Sequence, residues 1–214
     1  MKKGIAHMLF LLLLIFGCRS VYSETLESGI KARYPSNIYI VGITEIPKTG
    51  DQYNDRRVAE VHARLEIAKQ IKVRMESESV DIMCEGPTLR LFNSKQECKS
   101  QFVSIIRETV DEFLQGSKIV EQGEKGDSVY AVAVMPREKA IEELDKNIQE
   151  SLDNTKENVE KAKQGDKEAL KNAEEQYKKA IVYDKEKDLI KGVRKDADKA
   201  FEELEKELVK MRER

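Results

Sequence analysis

The distribution of proline divides this chain into two parts at Pro136. All four prolines of the 214-residue sequence lie at or before Pro136, and the segment from Arg137 to Arg214 has none. More than half of that segment is Asp, Glu, Lys or Arg. Because proline interrupts helices, a long proline-free and charged segment favours continuous helix. We therefore expect an α+β domain over residues 35–136 and a separate helical tail over residues 137–214.

The predicted tail carries three narrow apolar stripes at helical spacing, separated near Gly165 and Gly192. Narrow stripes with charged flanks are typical of a helical hairpin or a coiled coil. Such helices are poorly stable alone, so we expect them to pack on one another and to leave the first domain able to fold without them. The stripes are Ile141, Leu144, Ile148, Leu152, Val159 and Ala162; Leu170, Ala173, Tyr177 and Ala180; and Val193, Ala197, Phe201, Leu204, Leu208 and Met211.

The N-terminus has the pattern of a secretory signal peptide over residues 1–17. Two lysines, Lys2 and Lys3, precede an apolar run from Met8 to Phe16, and the small residue Gly17 follows. A basic start, a short apolar region and a small residue before the cut define such a signal. The run is far shorter than the about 20 residues that a spanning helix needs. We therefore expect an exported chain that is cleaved and does not keep this segment as an anchor.

Two cleavage sites compete. The run Ile15-Phe16-Gly17-Cys18 resembles the lipobox of bacterial lipoproteins, in which the Cys thiol receives a diacylglycerol and the chain is cut before it, although Phe16 is larger than usual. The alternative is a cut after Ser23, which would release a soluble periplasmic product. We favour acylation of Cys18, because the short apolar region ends at Gly17-Cys18 and an even number of cysteines then remains. Several acyl chains on one Cys would hold the protein firmly to a membrane. The residue after Cys18 is Arg19. An Asp at this position would indicate retention in the inner membrane, so its absence favours the outer membrane.

The cysteine count supports the same reading. The sequence has three cysteines, so lipidation of Cys18 leaves Cys84 and Cys98 as an even pair in an oxidising compartment. Turn-forming residues separate the two, and we expect a disulfide between them. The alternatives are two separate buried thiols, or a metal site. The spacing is unsuited to zinc, and only His62 could add a ligand.

The predicted domain has the element order β-α-β-α-β-β. We expect a small antiparallel or mixed sheet with two helices on one face, preceded by a tether over residues 18–34. The predicted elements are a strand over Ile38–Ile43, a helix capped by Asn54 or Asp55, a second strand through Val73, Met75, Val80 and Ile82, a helix opened by a capping box at Ser94–Glu97 and ended near Gly116, and a hairpin from Lys118 to Met135 around Gly123–Asp127.

The search for catalytic chemistry finds little. There is no phosphate-binding glycine loop, no paired histidine motif and no CxxC. His62 would be the single histidine of the mature chain, and we expect it at the surface or in a structural role, not as a base for a Cys98 thiol. Tyr39 and Tyr130 are expected in strands, and helix capping explains Asp55 better than metal binding with Asp51 does. We predict no cofactor, no metal and no catalytic residue.

Residues 34–136 combine Tyr34-Pro35, a predicted strand ending in Val41-Gly42, an Ala-rich helix and the YAVA strand at Tyr130–Ala133. In these motifs they resemble the twenty-kilodalton membrane-associated lipoprotein family, which is related to the N-terminal domain of flagellar assembly protein T. The helix has the form A-x-x-x-A-x-L-x-x-A at Ala59, Ala63, Leu65 and Ala68, followed by Ile71; Val73, Met75 and Ser77 and the stretch Leu114–Val120 match further parts. The Cys84–Cys98 loop departs from the family. The resemblance implies an envelope lipoprotein and carries over no catalytic residues.

Three classes of function remain open at this point. We favour a non-enzymatic envelope protein with a structural or interaction role, bound to the membrane by its lipid and to envelope proteins, or to itself, through the tail. The second class is a soluble periplasmic binding module, and the third is an enzyme. The net charge of −2 provides no overall field for nucleic acid, so no nucleic-acid partner is expected.

Overall fold

The computed structural model describes residues 27–192 and 199–213. The chain divides into two compact units, Met1–Tyr39 and Ile40–Arg214. The described part of the first unit contains a helical segment, α1, over residues 27–33, where an i,i+4 ion pair joins Glu27 and Lys31 at 2.6 Å. Part of the predicted tether is thus helical. The signal peptide, Cys18 and Val193 and Ala197 of the third stripe lie outside the described residues.

The sheet has three strands: β1 (Tyr39–Pro47), β2 (Lys118–Lys125) and β3 (Ser128–Pro136). Their order is β1-β3-β2, antiparallel, so the most buried strand is central. β2 and β3 form the predicted hairpin, whose turn begins at Gly126 with a φ of 57°, a value that favours glycine. The register shifts between Ile119 and Glu121, which makes Val120 an extra, partly exposed residue of a bulge.

The long helix α2 (Gln52–Glu78) packs on the sheet through small residues. Ala59, Ala63, Ile67, Ile71 and Met75 are buried at a spacing of four. Asp51 caps this helix, because its side chain accepts a hydrogen bond from the N–H of Asn54; the predicted caps, Asn54 and Asp55, lie inside the helix instead.

The predicted second strand is wrong: the chain is helical there. α2 continues through Val73 and Met75 to Glu78, and a short helix, α3 (Val80–Met83), follows. A strand would place Val73 and Met75 on the same face, but Val73 is 55% exposed while Met75 is fully buried. The reason is that Met75 extends the four-residue stripe of α2 and Arg74 pairs with Glu78 one turn on, which outweighs the β preference of the valines.

A 3-10 helix (Gly86–Leu91) leads to α4 (Lys95–Phe113), and a second 3-10 turn (Leu114–Gly116) ends it. Half of the predicted capping box is present: Ser94 Oγ accepts from the N–H of Glu97 at 3.1 Å. The Glu97 carboxylate bonds one residue further back than a capping box requires, accepting from the N–H of Asn93 at 3.0 Å. The apolar face of α4, which includes Phe102, Ile105, Ile106 and Val110, joins the core.

The tail forms α5 (Arg137–Lys163), α6 (Lys167–Lys191) and α7 (Lys199–Arg212). α5 and α6 pair as a hairpin around Gly165, whose φ is 100°, and Asp166 caps α6 by accepting from the N–H groups of Glu168 and Ala169. The chain is therefore an α+β protein with a helical hairpin in its charged half, as the sequence predicts.

The tail helices pack on more than each other. α6 contacts α2, α4, α5 and α7, and its buried residues lie on several sides of the helix. Apolar residues from the sheet, α2, α4 and the tail belong to one hydrophobic core. We expected the tail helices to bury their apolar stripes only against each other, but these helices also pack on α2 and α4. The reason is that Ile181, Val182, Tyr183 and Ile190 add apolar surface outside the stripe on which that expectation was based.

Candidate functional site

The structure brings together the two cysteines that the sequence pairs. The sulfur atoms of Cys84 and Cys98 are 2.06 Å apart and the Cα atoms 5.8 Å apart. Both residues are fully buried, and the bond ties the end of α3 to the first turn of α4 across the 3-10 segment. A bonded, buried Cys98 is not available as a nucleophile, and His62 is exposed on α2. The catalytic thiol considered for these two residues is therefore not formed.

The loop that contains Asp51 is held in place by hydrogen bonds. Asp55, which is 3% exposed, accepts from the N–H and the hydroxyl of Thr49, at 2.9 and 2.7 Å. These bonds lower the pKa of Asp55. Next to them, Lys48 Nζ donates to the carbonyl oxygen of Gly126 and pairs with Glu124, which holds the loop against the hairpin turn.

Tyr39 and Tyr130 occupy the predicted strands. The Tyr39 ring stacks edge-on against Tyr34 with centroids 5.7 Å apart, and the half-buried Tyr130 ring covers Gly123 on the neighbouring strand. Within residues 27–192 and 199–213, no group of three His, Cys, Asp or Glu side chains could hold a metal ion. In the same residues, no helix has the length and apolar character to cross a bilayer.

A groove of about 380 Å³ lies between α4 and α6, and α7 contributes to its lining. Its lining includes Gln101 and Ile105 from α4, Lys178 from α6 and Arg212 from α7. A second pocket, of about 310 Å³, is bounded by Ile82, Tyr177 and Phe201. The first of these is the more distinctive chemically, because it contains a buried lysine.

Lys178 is 8% exposed and yet carries an ammonium group. Its Nζ donates to Gln101 Oε1 at 2.9 Å and lies 4.5 Å from the centre of the Phe92 ring. Burial lowers the pKa of Lys178, partly opposed by the more distant Glu174. Sequence reasoning did not select this residue. The sequence did contain an indication of its burial: Lys178 directly follows the apolar-stripe residue Tyr177 and lies one helical turn before Ile181.

The other charges of the groove are largely paired. Lys179 pairs with Glu108 at 2.8 Å, and Arg212 pairs with Glu174 at 3.2 Å while also donating to the carbonyl oxygen of Leu91. Glu97 accepts from Gln101 Nε2 at 2.9 Å. The hydrogen bonds that Glu97 accepts from Asn93 lower its pKa, so it is ionised at neutral pH.

No family model matches the chain, and neither a curated protein nor a solved structure matches it significantly.

Proposed function

We propose that this protein is a non-enzymatic bacterial envelope lipoprotein, anchored in the outer membrane by acyl chains on Cys18 and acting by binding envelope proteins. The observation that carries the proposal is the use of the cysteines. Cys84 and Cys98 lie at bonding distance, so Cys18 is the one remaining thiol, and it stands directly after the apolar run. Disulfides are a feature of exported proteins, which supports a signal peptide before Cys18.

The interaction role is supported by the exposed side of α2. Val61 and Leu65 are each 47% exposed and lie one turn apart, so they form a small apolar patch. Apolar pairs of this kind on a charged surface are contacts that a protein partner could bury. The resemblance to the twenty-kilodalton lipoprotein family adds to this proposal as an analogy of sequence pattern.

Acylation is tested by expressing the full precursor in a diderm bacterial host with a labelled fatty acid. We expect label in the wild-type protein and a mature N-terminus at a modified Cys18 by mass spectrometry. Cys18→Ser should abolish the label. The matched control, Cys84→Ser with Cys98→Ser, should keep it, because neither of these thiols is the acylation site. An unmodified N-terminus at Glu24 would refute the anchor and favour the soluble periplasmic binding module.

The interaction role is tested by crosslinking membranes and identifying the envelope proteins that co-purify with this protein. Val61→Glu with Leu65→Glu should remove the crosslinked envelope proteins without lowering the melting temperature, since both side chains are already exposed. Ile82→Glu is the control, because Ile82 is similarly exposed at 45% but lies on α3. Equal recovery of the same proteins with all variants would contradict binding through this patch.

A further inference from the structure

The groove between α4 and α6 contains a cation whose counter-charge is missing from the described residues. Lys178 is more than nine-tenths buried, and its Nζ makes one hydrogen bond, to the neutral Gln101 amide, and one contact with the Phe92 ring. No carboxylate of the described residues lies within ion-pair distance of it. Taking an ammonium out of water without a partner costs free energy, so buried charges are normally paired.

Three of the four carboxylates that line the groove are engaged by other groups. Glu108 and Glu174 pair with Lys179 and Arg212, and Glu97 accepts bonds from Asn93 and Gln101. They cannot form a direct ion pair with Lys178 without giving up these partners. A carboxylate supplied by a ligand would meet the ammonium directly, as a charge-assisted hydrogen bond.

The remaining charges define which kind of carboxylate fits. The exposed rim of the groove carries one charge of each sign, Glu175 and Lys171, and neither makes an ion pair in the described part of the chain. The carboxylate of Glu97 also belongs to the lining, so a ligand with several negative charges would meet glutamates as well as lysines. A molecule with one carboxylate and one ammonium group matches both signs, and Ile105 and Leu91 supply apolar contact in the lining.

We propose that this groove binds a small zwitterion, an amino acid or a short peptide, whose carboxylate pairs with the Lys178 ammonium while its amino group faces the glutamates. The groove volume of about 380 Å³ falls within the range of small-molecule sites. The lowered pKa of Lys178 agrees with this assignment, because a bound carboxylate would restore the stabilisation that burial removes. The proposal does not depend on acylation of Cys18.

The first test compares ligands on the wild-type mature protein. The probes are free amino acids and glycyl dipeptides, each beside its C-terminal amide, with the ¹³Cε signal of Lys178 in lysine-labelled protein as the readout. We expect at least one zwitterion to shift that signal. Its amide should bind at least about 10-fold more weakly, since the amide lacks the negative charge that pairs with Lys178. If no probe shifts the signal at about 10 mM, or if each amide equals its acid, the proposal is overturned.

The second test uses variants of the lysines in the groove. Lys178→Met keeps the length of the side chain and removes the charge, so it should weaken binding at least about 10-fold while the melting temperature stays the same or rises. The control Lys171→Met removes a cation at the exposed rim and should change binding less than about threefold. Equal losses in both variants would overturn the role of Lys178. If Lys178→Met does not fold, the comparison of acids and amides on the wild type still decides.

Discussion

Gly42 of β1 lies so close to Ala63 of α2 that a Cβ atom built on Gly42 would fall 2.0 Å from the Ala63 carbonyl oxygen. A methyl group at residue 42 would also approach Ile67 at 3.0 Å. The strand and the helix therefore touch backbone to backbone. The Val41-Gly42 pair, which lies within β1, and the A-x-x-x-A helix are the two sides of this contact, and both underlie the family resemblance.

Gly42→Ala should be strongly destabilising, because the obstacle is backbone and cannot rotate away. We expect a loss of about 3 kcal/mol or more in the free energy of unfolding, measured by urea denaturation. Gly29→Ala is the matched control: the nearest atom to its Cβ is the flexible end of Arg33 at 3.7 Å, and alanine favours the helical segment. Similar urea midpoints for Gly42→Ala and wild type would show that the strand and helix can separate cheaply.

Loss of the disulfide should lower stability by about 3 kcal/mol, because the bond closes a loop with a sequence separation of 14 residues. For a chain of this size we expect the melting temperature of the Cys84→Ser, Cys98→Ser double variant to fall by roughly 6–12 °C. Dithiothreitol should lower the melting temperature of the wild type by a similar amount and leave the melting temperature of the double variant unchanged. Maleimide labelling of both cysteines in denatured, non-reduced protein would show that the bond is not formed.

Removal of the tail now has an expected outcome opposite to the one that the charge pattern suggested. A chain ending at Arg137 loses α6, which covers the apolar face of α4, and loses the buried hydrogen bond from Thr109 to Glu186 at 2.8 Å. We expect this chain to bind a hydrophobic dye and to lack near-ultraviolet circular dichroism. A chain ending at Lys191 keeps α5 and α6 and should retain cooperative unfolding at reduced stability. A cooperative transition in the shorter chain would support independent folding of residues 35–136.

Acid should weaken the loop between β1 and α2 through Glu124. Hydrogen bonds from Lys48 and Gln52 lower the pKa of Glu124 to about 2, from about 4.5. Because the folded-state pKa is depressed, this contribution is present above pH 4.5 and is lost as the pH falls towards 2. Glu124→Gln should therefore flatten the fall of the urea midpoint over this range. Glu142→Gln, which alters an exposed carboxylate on α5, should follow the wild type. If the urea midpoint of Glu124→Gln falls with pH as steeply as that of the wild type, Glu124 is not the group that weakens this loop in acid.

Local signals in the sequence were sufficient for several elements and insufficient for others. The hairpin, the helix cap at Ser94 and the pairing of Cys84 with Cys98 were predictable because turn residues and caps act over a few positions. The extension of α2 beyond Lys72 was missed because valine favours strands, whereas the phase of Met75 relative to Ile71 decides the outcome. A spacing of four, counted from Ala59, would have identified it.

The central place of α6 and the groove beside it required tertiary information. α6 alternates charges with apolar residues on several faces, so its burial depends on four neighbouring elements that the sequence does not place. The surroundings of Lys178 also depend on tertiary structure. Its position one turn before Ile181 indicates that it faces inward, but the Phe92 ring and the Gln101 amide that contact it are about 80 positions away.

The hydrogen bond from Arg212 to the carbonyl oxygen of Leu91 joins residues 121 positions apart, at 2.6 Å. α7 packs on the 3-10 segment beside the disulfide, so residues 199–212 cover a part of the core that is synthesised much earlier. That part of the core therefore stays open to water during synthesis until α7 has emerged. The region beside the disulfide is one of the last parts of the core to be covered.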